Sequence, residues 1–247
     1  MADDDNAVWA EYGDTLRLPI DADSDYISAI PWERAALIGD RPLIDIGCGS
    51  GLTTLALAAR FPLAEILAVE PDPLMRSLLM LRVAERPEIR SRTTVLPESI
   101  LDVWLPDECG GALLFNVIYF LGGRTRDRFW TRMAQVLVPG APILMSRSYG
   151  GVPDTLVERH LAGSATMGRH EYQRFFEAKP AGEGRVEIVN TYIVLRDGEQ
   201  VRTARTVVTP LSLDEEVILS EIPIGKFSIE EIDENYIAVR RQPDLRR

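Results

Sequence analysis

At 247 residues, with 46% hydrophobic and 26% charged residues spread along its length, the chain can bury a core without disulfide staples and is neither disordered nor fibrous in composition. Its 27 basic against 38 acidic residues give a net charge of −11, the wrong sign for long-range attraction to nucleic acid or an anionic membrane, so neither partner is expected. There are only two cysteines, no apolar run near the roughly 18 residues of a membrane span, and an acidic start, MADDDNAVW, where a secretory signal would be basic and then apolar. A cytoplasmic location is the expectation.

The first segment, AVWAEYGDTLRLPIDADSDYI, carries Trp9, Tyr12 and Tyr26 ahead of any strand-like run. PLIDIG (42–47) then reads as a buried strand, and LTTLALAARF (52–61) as the helix after it, ended before Pro62. EILAVEP is a second strand and PLMRSLLMLRVAER a second helix, with apolar residues three and four apart. RTTVLPES is a third, weaker strand, GALLFNVIYFL a fourth and APILMSRS a fifth. Between the last two, RTRDRFWTRMAQVLVPG reads as a helix with Phe129, Met133, Val136 and Leu137 on one face and Gly140 as its stop. Strand-helix alternation sustained over about 150 residues predicts an α/β fold with a doubly wound parallel sheet.

After Gly150 the pattern changes. RVEIVNTYIVLRDGEQVRTARTVV reads as two long strands around Asp197-Gly198, a dipeptide suited to a two-residue hairpin turn. That turn pairs Arg196 with Glu199 and so sets Val194 opposite Val201, Tyr192 opposite Thr203 and Ile188 opposite Val207. The largely apolar face this creates needs a partner, because an isolated two-stranded hairpin is marginal in water. SLDEEVILSEIP reads as a last helix capped by Ser212 or Asp214, and KFSIEEIDE and NYIAVRR as two final strands turning at Asn235.

The chemistry concentrates in LIDIGCGSGLTT. Glycines between a strand and a helix permit positive φ and let a ligand approach the backbone, while the helix N-terminus favours electronegative ligand atoms. The spacing discriminates among such loops. A dinucleotide G-x-G-x-x-G would need a third glycine or alanine at Leu52 or Thr54, and the phosphate-cradling loop would need a lysine that this segment lacks. What stands is D-x-G-x-G-x-G, formed by Asp45, Gly47, Gly49 and Gly51, with an acid, Glu70, at the end of the next strand. Both acids fall at the carboxyl ends of neighbouring strands, where open α/β sheets bind ligands. Cys48, between two glycines, reads as a small packing residue, since nothing nearby activates a thiolate.

With these two motifs the chain resembles the class I S-adenosylmethionine-dependent methyltransferases. LIDIGCGSGLTTLALA, ILAVEPDPLM, LLFNVIYFLG and the ending GKFSIEEIDENYIAVRR fall in the family's order. The resemblance implies a seven-stranded, mostly parallel, Rossmann-like sheet with a β-hairpin insertion before the last helix, and S-adenosylmethionine as cofactor, leaving as S-adenosylhomocysteine. Residues 1–247 are then one domain: an N-terminal helical lid (1–40), a cofactor-binding core (41–150), an insert with a β-hairpin (151–209), and the last helix with a terminal hairpin (210–247). By the same resemblance Asp45 and the loop Gly47, Cys48, Gly49 and Gly51 face the methionine part. Glu70, followed by Pro71, accepts both ribose hydroxyls. Glu98 and Ser99 take the adenine side, although Pro97-Glu98-Ser99 departs from the usual Gly-Asp-Ala form. Pro71, Asn116 after the fourth strand and Tyr12 of the lid complete the cofactor-binding set that the resemblance implies.

In such enzymes transfer rests on positioning an in-line nucleophile in a dry pocket; a nitrogen acceptor needs only its lone pair, whereas a hydroxyl needs a base. Acceptor-facing candidates are Asn116 and Tyr119 after the fourth strand, Arg147 and Tyr149 after the fifth, and His160, His170, Glu171 and Tyr172 in the insert. His170, His160 and Tyr119 are the catalytic candidates, and no metal ligands are expected. Asn116-Val117-Ile118-Tyr119 lacks both prolines of the Asn-Pro-Pro-Tyr form used by family members that act on adenine or glutamine amides. That difference and the acidic charge argue against a nucleic-acid base, and the strand-plus-hairpin insert is instead similar to that of the family's small-molecule members, which implies a small-molecule acceptor, with the insert roofing its pocket or making a homodimer contact. The bias to arginine over lysine is a compositional habit of GC-rich bacteria, in which natural-product methyltransferases abound. The alternative is a protein of the same fold that binds S-adenosylmethionine without methylating: a partner subunit, a sensor or a cyclase.

Overall fold

The computed structural model describes residues 5–17, 30–146, 155–211, 215–223, 225–233 and 235–243. The chain divides into two compact units, one formed by Ile30–Gly151 with Leu213–Arg247, the other by Met1–Ala29 with Val152–Ser212. This differs from the single domain with a 1–40 lid expected from the sequence, since residues on either side of Ala29 go to different units.

The larger unit is built on β1 (Leu43–Ile46), β2 (Ile66–Val69), β3 (Thr93–Leu96), β4 (Gly111–Leu114), β5 (Pro142–Ser146), β10 (Phe227–Glu231) and β11 (Tyr236–Arg241), in the order β10-β11-β5-β4-β1-β2-β3. The first five strands are parallel, and β11 runs antiparallel to β5 and to β10. This is the seven-stranded, mostly parallel, doubly wound sheet that the sequence predicted. The residues of β1, β2 and β4 are all buried, because helices on both faces leave no water-facing side, and this is why the strands read as unbroken apolar runs.

Three helices of this unit bear on the site: α3 (Leu52–Arg60), α4 (Pro73–Ala84) and α6 (Gly123–Val136). The Arg92 guanidinium closes the end of α3 by donating to the carbonyls of Ala58 (2.5 Å), Phe61 (3.0 Å) and Ala64 (2.8 Å). Phe129, Met133, Val136 and Leu137 are buried as predicted, together with Trp130. The helix ends at Val136, one turn before the expected stop, and Gly140 takes its positive φ of 87° in the turn into β5. Arg126, buried on α6, donates Nε and Nη2 to the two carboxylate oxygens of Glu221 on α7 (Glu215–Glu221) and Nη1 to the Leu121 carbonyl.

The smaller unit is an antiparallel meander of β6 (Val157–Met167), β7 (His170–Gly182), β8 (Arg185–Arg196) and β9 (Glu199–Val208). The expected hairpin is its second half. Asp197 and Gly198 both have positive φ, 55° and 82°, as the short turn requires, and Arg196 pairs with Glu199. Beyond that rung the register departs from expectation. A bulge at Val201 sets Val194 opposite Arg202, Tyr192 opposite Ala204 and Ile188 opposite Val208.

One face of this meander is covered by α1 (Asp5–Arg17), whose Val8, Tyr12 and Leu16, four residues apart, pack with Ala165, Tyr192, Val194 and Ala204. Among the described residues no helix is long and apolar enough to cross a membrane.

Candidate functional site

Strand order in the larger sheet reverses on either side of β1, so the chain leaves the carboxyl ends of β1 and β4 in opposite directions, the position at which open α/β sheets form their ligand crevice. The glycine loop leaves β1 at this point. Its first amides stay on the sheet, with Gly47 and Cys48 both donating to the Val69 carbonyl at 2.8 and 3.2 Å, and the loop closes by a Gly51 amide bond to the Cys48 carbonyl at 3.0 Å. Arg82 of α4 reaches across to the Ser50 carbonyl at 2.7 Å.

All three loop glycines have positive φ, 63°, 57° and 91°, but they face different neighbours. A Cβ on Gly47 would lie 2.5 Å from Cγ2 of Val117, and one on Gly51 2.5 Å from Cδ1 of Leu79. A Cβ on Gly49 would meet only Met75 Cε, at an ordinary 3.4 Å. Gly47 and Gly51 are therefore small because protein packs on them. Gly49 has no such crowding and is the loop position a ligand can approach. Helix α3 starts directly from Gly51, a position with no side-chain cap, and an uncapped helix N-terminus favours electronegative ligand atoms.

Both acids are buried rather than displayed at the surface. Asp45 is 2% exposed, and its Oδ2 accepts the hydroxyls of Thr53 at 2.8 Å and Thr54 at 2.6 Å. Burial pushes its pKa up to about 6; the two threonine bonds oppose the shift and the charge of Glu70 adds to it. Glu70 is 7% exposed and holds the loop, its Oε2 accepting the Gly49 amide and its Oε1 the Asp72 amide, each at 2.8 Å. Burial raises this carboxyl too, against the lowering effect of those two amides. A carboxylate has about four acceptor directions, so two remain for a diol.

The other cofactor candidates surround this pair. Pro71 is exposed, and its carbonyl accepts from Arg76 at 2.9 Å. Burial drives the Cys48 thiol well above the ordinary thiol range, which leaves it a protonated packing group. At the end of β3, Glu98 is exposed, while Ser99 is half-buried and caps a turn, its Oγ accepting the Leu101 amide at 3.3 Å. Asn116 follows β4 with a φ of 60°, unusual for a residue other than glycine.

Several expectations need correction. The fourth strand ends at Leu114 instead of running on to Leu121, because Asn116 turns the chain and Ile118–Phe120 form a 3-10 turn. Tyr119 is core rather than acceptor-facing: it is 2% exposed and its hydroxyl donates to the Ser146 carbonyl at 3.2 Å. Tyr12 is a core residue of the smaller unit, 2% exposed and stacked on Tyr192 with centroids 5.2 Å apart.

His160 and His170 lie on β6 and β7 of the smaller unit. His160 is exposed, with Nδ1 on the Glu158 carbonyl at 2.9 Å, and sits across from Phe176. His170 is half-buried against Tyr172. Six residues of β7 separate Phe176 from His170, about 20 Å of strand, so the two histidines do not share a site. Glu171 is exposed, its Oε1 accepting from Gln173 at 2.7 Å. Tyr26, Arg147, Tyr149 and the cap candidates Ser212 and Asp214 lie outside the described residues. Among the described residues no group of His, Cys, Asp and Glu has metal-site geometry.

Four contributors went unrecognised in the sequence: Thr53 and Thr54 under Asp45, Val117 against Gly47, and Ser146, whose Oγ accepts the Asn116 amide at 3.1 Å. Only the threonines left a readable signal, two adjacent hydroxyls in the first helical turn after an acid-and-glycine loop.

Residues 44–145 match the family model described as methyltransferase domain. A trans-aconitate 2-methyltransferase from Methylobacterium radiotolerans is 29% identical over 116 residues; the match covers 43% of this chain and 42% of that protein, less than half of either. Among solved structures, Streptomyces venezuelae DesVI superposes with a TM-score of 0.68 at 13% identity, over 96% of this chain and 92% of its own. The sugar N-methyltransferase KedS8 from a Streptoalloteichus species superposes with 0.67 at 18% identity, over 97% and 89%. The glycopeptide N-methyltransferase MtfA in complex with S-adenosylmethionine superposes with 0.59 at 16% identity, over 91% and 90%. These structural likenesses are of fold.

Proposed function

We propose that this chain, whose residues 44–145 match a methyltransferase domain, is a class I S-adenosylmethionine-dependent methyltransferase that moves the cofactor's methyl group to a nitrogen or oxygen of a small-molecule acceptor. The observation that carries the reading is the uncrowded face of Gly49 beside two buried carboxylates at the ends of β1 and β2. That arrangement fits an adenosine-bearing cation. The spare acceptor directions of Glu70 suit a ribose diol, and the charges of Asp45 and Glu70 favour a positive ligand. Asp45 and the loop Gly47–Gly51 would hold the methionine part, Glu70 the ribose, and Glu98 and Ser99 the adenine side.

The bound cofactor supplies a methyl group already activated on a sulfonium, so the protein's task is to orient the acceptor and keep water out. Thr53 and Thr54 fix Asp45, the Gly49 and Asp72 amides fix Glu70, and Arg82 fixes the loop. A neutral amine acceptor needs no base from the chain; a hydroxyl acceptor needs one, for which His170 is the candidate. KedS8, with its sugar N-methyltransferase activity, makes amino sugars the first acceptors to screen. A homodimer contact through the smaller unit belongs to the same proposal, and light scattering reads it directly.

The test is calorimetric titration with S-adenosylmethionine, S-adenosylhomocysteine and NAD in parallel, followed by transfer of labelled methyl to an acceptor panel. Micromolar binding of S-adenosylmethionine and S-adenosylhomocysteine without NAD supports the reading. Binding of NAD alone overturns it, and tight cofactor binding with no transfer to any acceptor favours the non-methylating alternative.

A further inference from the structure

We propose that Ser146 is a positioning residue for the methyl-transfer site, acting through the backbone of Asn116; the proposal rests on the methyltransferase reading. Asn116 has a φ of 60° in neither a hairpin turn nor a helix cap, unlike Asp197 and Glu183 between strands and Ala36 after α2 (Trp32–Ala35). It stands where β4 ends at the crevice beside β1. A left-handed residue other than glycine is uncommon and persists where its surroundings over-determine it.

Ser146, the last residue of β5, supplies that determination twice. Its Oγ accepts the Asn116 amide at 3.1 Å, and its carbonyl accepts the Tyr119 hydroxyl at 3.2 Å, so one residue clamps both ends of the turn 116–119. Inside the clamp lies Val117, whose Cγ2 occupies the space that a Cβ on Gly47 would need. The hydroxyl of Ser146 therefore sets the backbone at 116 and presses Val117 onto the first glycine of the loop. An alanine there would remove the Ser146 hydroxyl that the Asn116 amide donates to and let the turn relax from the left-handed region. Glycine at 116 adopts that region at no steric cost and would not need the clamp.

The experiment is a double-mutant cycle on S-adenosylmethionine affinity with Ser146→Ala, Asn116→Gly and the pair, each checked for its melting temperature. Ser146→Ala should weaken binding roughly three- to tenfold in the native background, and less than twofold in the Asn116→Gly background. Ser146→Thr, which keeps the hydroxyl, should restore the native value. A purely structural role would lower the melting temperature equally in both backgrounds and leave no coupling in the affinities, which would overturn the proposal. So would native affinity in Ser146→Ala. If the unmutated protein fails to bind the cofactor, the methyltransferase reading falls and this proposal with it; binding by the unmutated protein with no coupling removes only the role of Ser146.

Discussion

The Glu70 carboxylate accepts the Gly49 amide at 2.8 Å, so the acid that ends β2 holds the loop that leaves β1. Glu70 thus has two tasks, tethering the loop and accepting a ligand's hydroxyls. Charge-assisted bonds of this kind contribute about 1.5–3 kcal/mol each, so Glu70→Ala should weaken S-adenosylmethionine binding by roughly tenfold or more and also lower the melting temperature. Glu70→Gln keeps an oxygen for one amide and should recover part of the stability while binding stays weak. Titration calorimetry and thermal melts on the two variants separate the tasks; equal affinities in Glu70→Ala and the native protein would remove Glu70 from the site.

The three loop glycines should fail in different ways. Alanine at Gly47 or Gly51 places a methyl 2.5 Å from Val117 or Leu79, an overlap that forces packing to shift and costs about 1–3 kcal/mol on top of the left-handed backbone. Alanine at Gly49 meets nothing closer than 3.4 Å, so it should cost only the backbone term, on the order of 1 kcal/mol, and leave a folded chain that has lost cofactor binding. Circular dichroism melts with parallel titrations measure both quantities. A Gly49→Ala protein that binds normally would show that the ligand does not approach this glycine.

The central strands were legible because β2, β4 and β5 are short, mostly apolar buried runs and β1 is broken only by Asp45, and a strand buried on both faces can be little else. The first half of the antiparallel meander was not. VERHLAGSATM and HEYQRFFEAKPAG carry few β-branched residues, and register shifts around His160 to Gly163 break the period-two alternation that marks a strand. The hairpin turn at Asp197-Gly198 was readable and the bulge at Val201 was not, because a bulge is chosen by which side chains the facing layer buries. Tyr12 shows the same limit. Its four-residue spacing from Val8 and Leu16 reveals a helical stripe, but not which surface the stripe covers. At the site, the acids and glycines were visible by type and spacing, whereas Ser146 and Val117 act through a turn whose left-handed residue leaves no mark in the sequence.

Asp45 makes stability depend on pH in a direction opposite to that of a salt-bridged carboxylate. Burial raises its pKa to about 6, above the value of an exposed aspartate, so the folded chain holds the proton where the unfolded chain has released it. Its favourable contribution is complete below the unfolded pKa and is lost as pH rises through about 6. Asp45→Asn keeps an oxygen for Thr53 and Thr54 without the buried charge. It should melt higher than the native chain above pH 6, by up to about 3 kcal/mol, and lose that advantage near pH 4. The same variant should bind the cationic cofactor less tightly. Melting curves from pH 4 to pH 8 decide it: a pH-independent difference between the two proteins would show that Asp45 is ionised throughout.

The two histidines give the last test, because about 20 Å of strand between them allows at most one to act at a single acceptor site. His170 is half-buried beside Tyr172 and His160 is exposed on the Glu158 carbonyl, so the two are tested separately, with His170 as the proposed base. With a hydroxyl acceptor, His170→Ala should lower turnover by about 10²-fold or more while cofactor affinity is unchanged, and His160→Ala should behave as the native enzyme. With an amine acceptor, whose neutral lone pair needs no base, both variants should turn over at near-native rates above the pKa of the amine. Single-turnover rates with one acceptor of each kind therefore report the chemistry of the methylated atom; a collapse of transfer in both variants would contradict a single site served by one histidine.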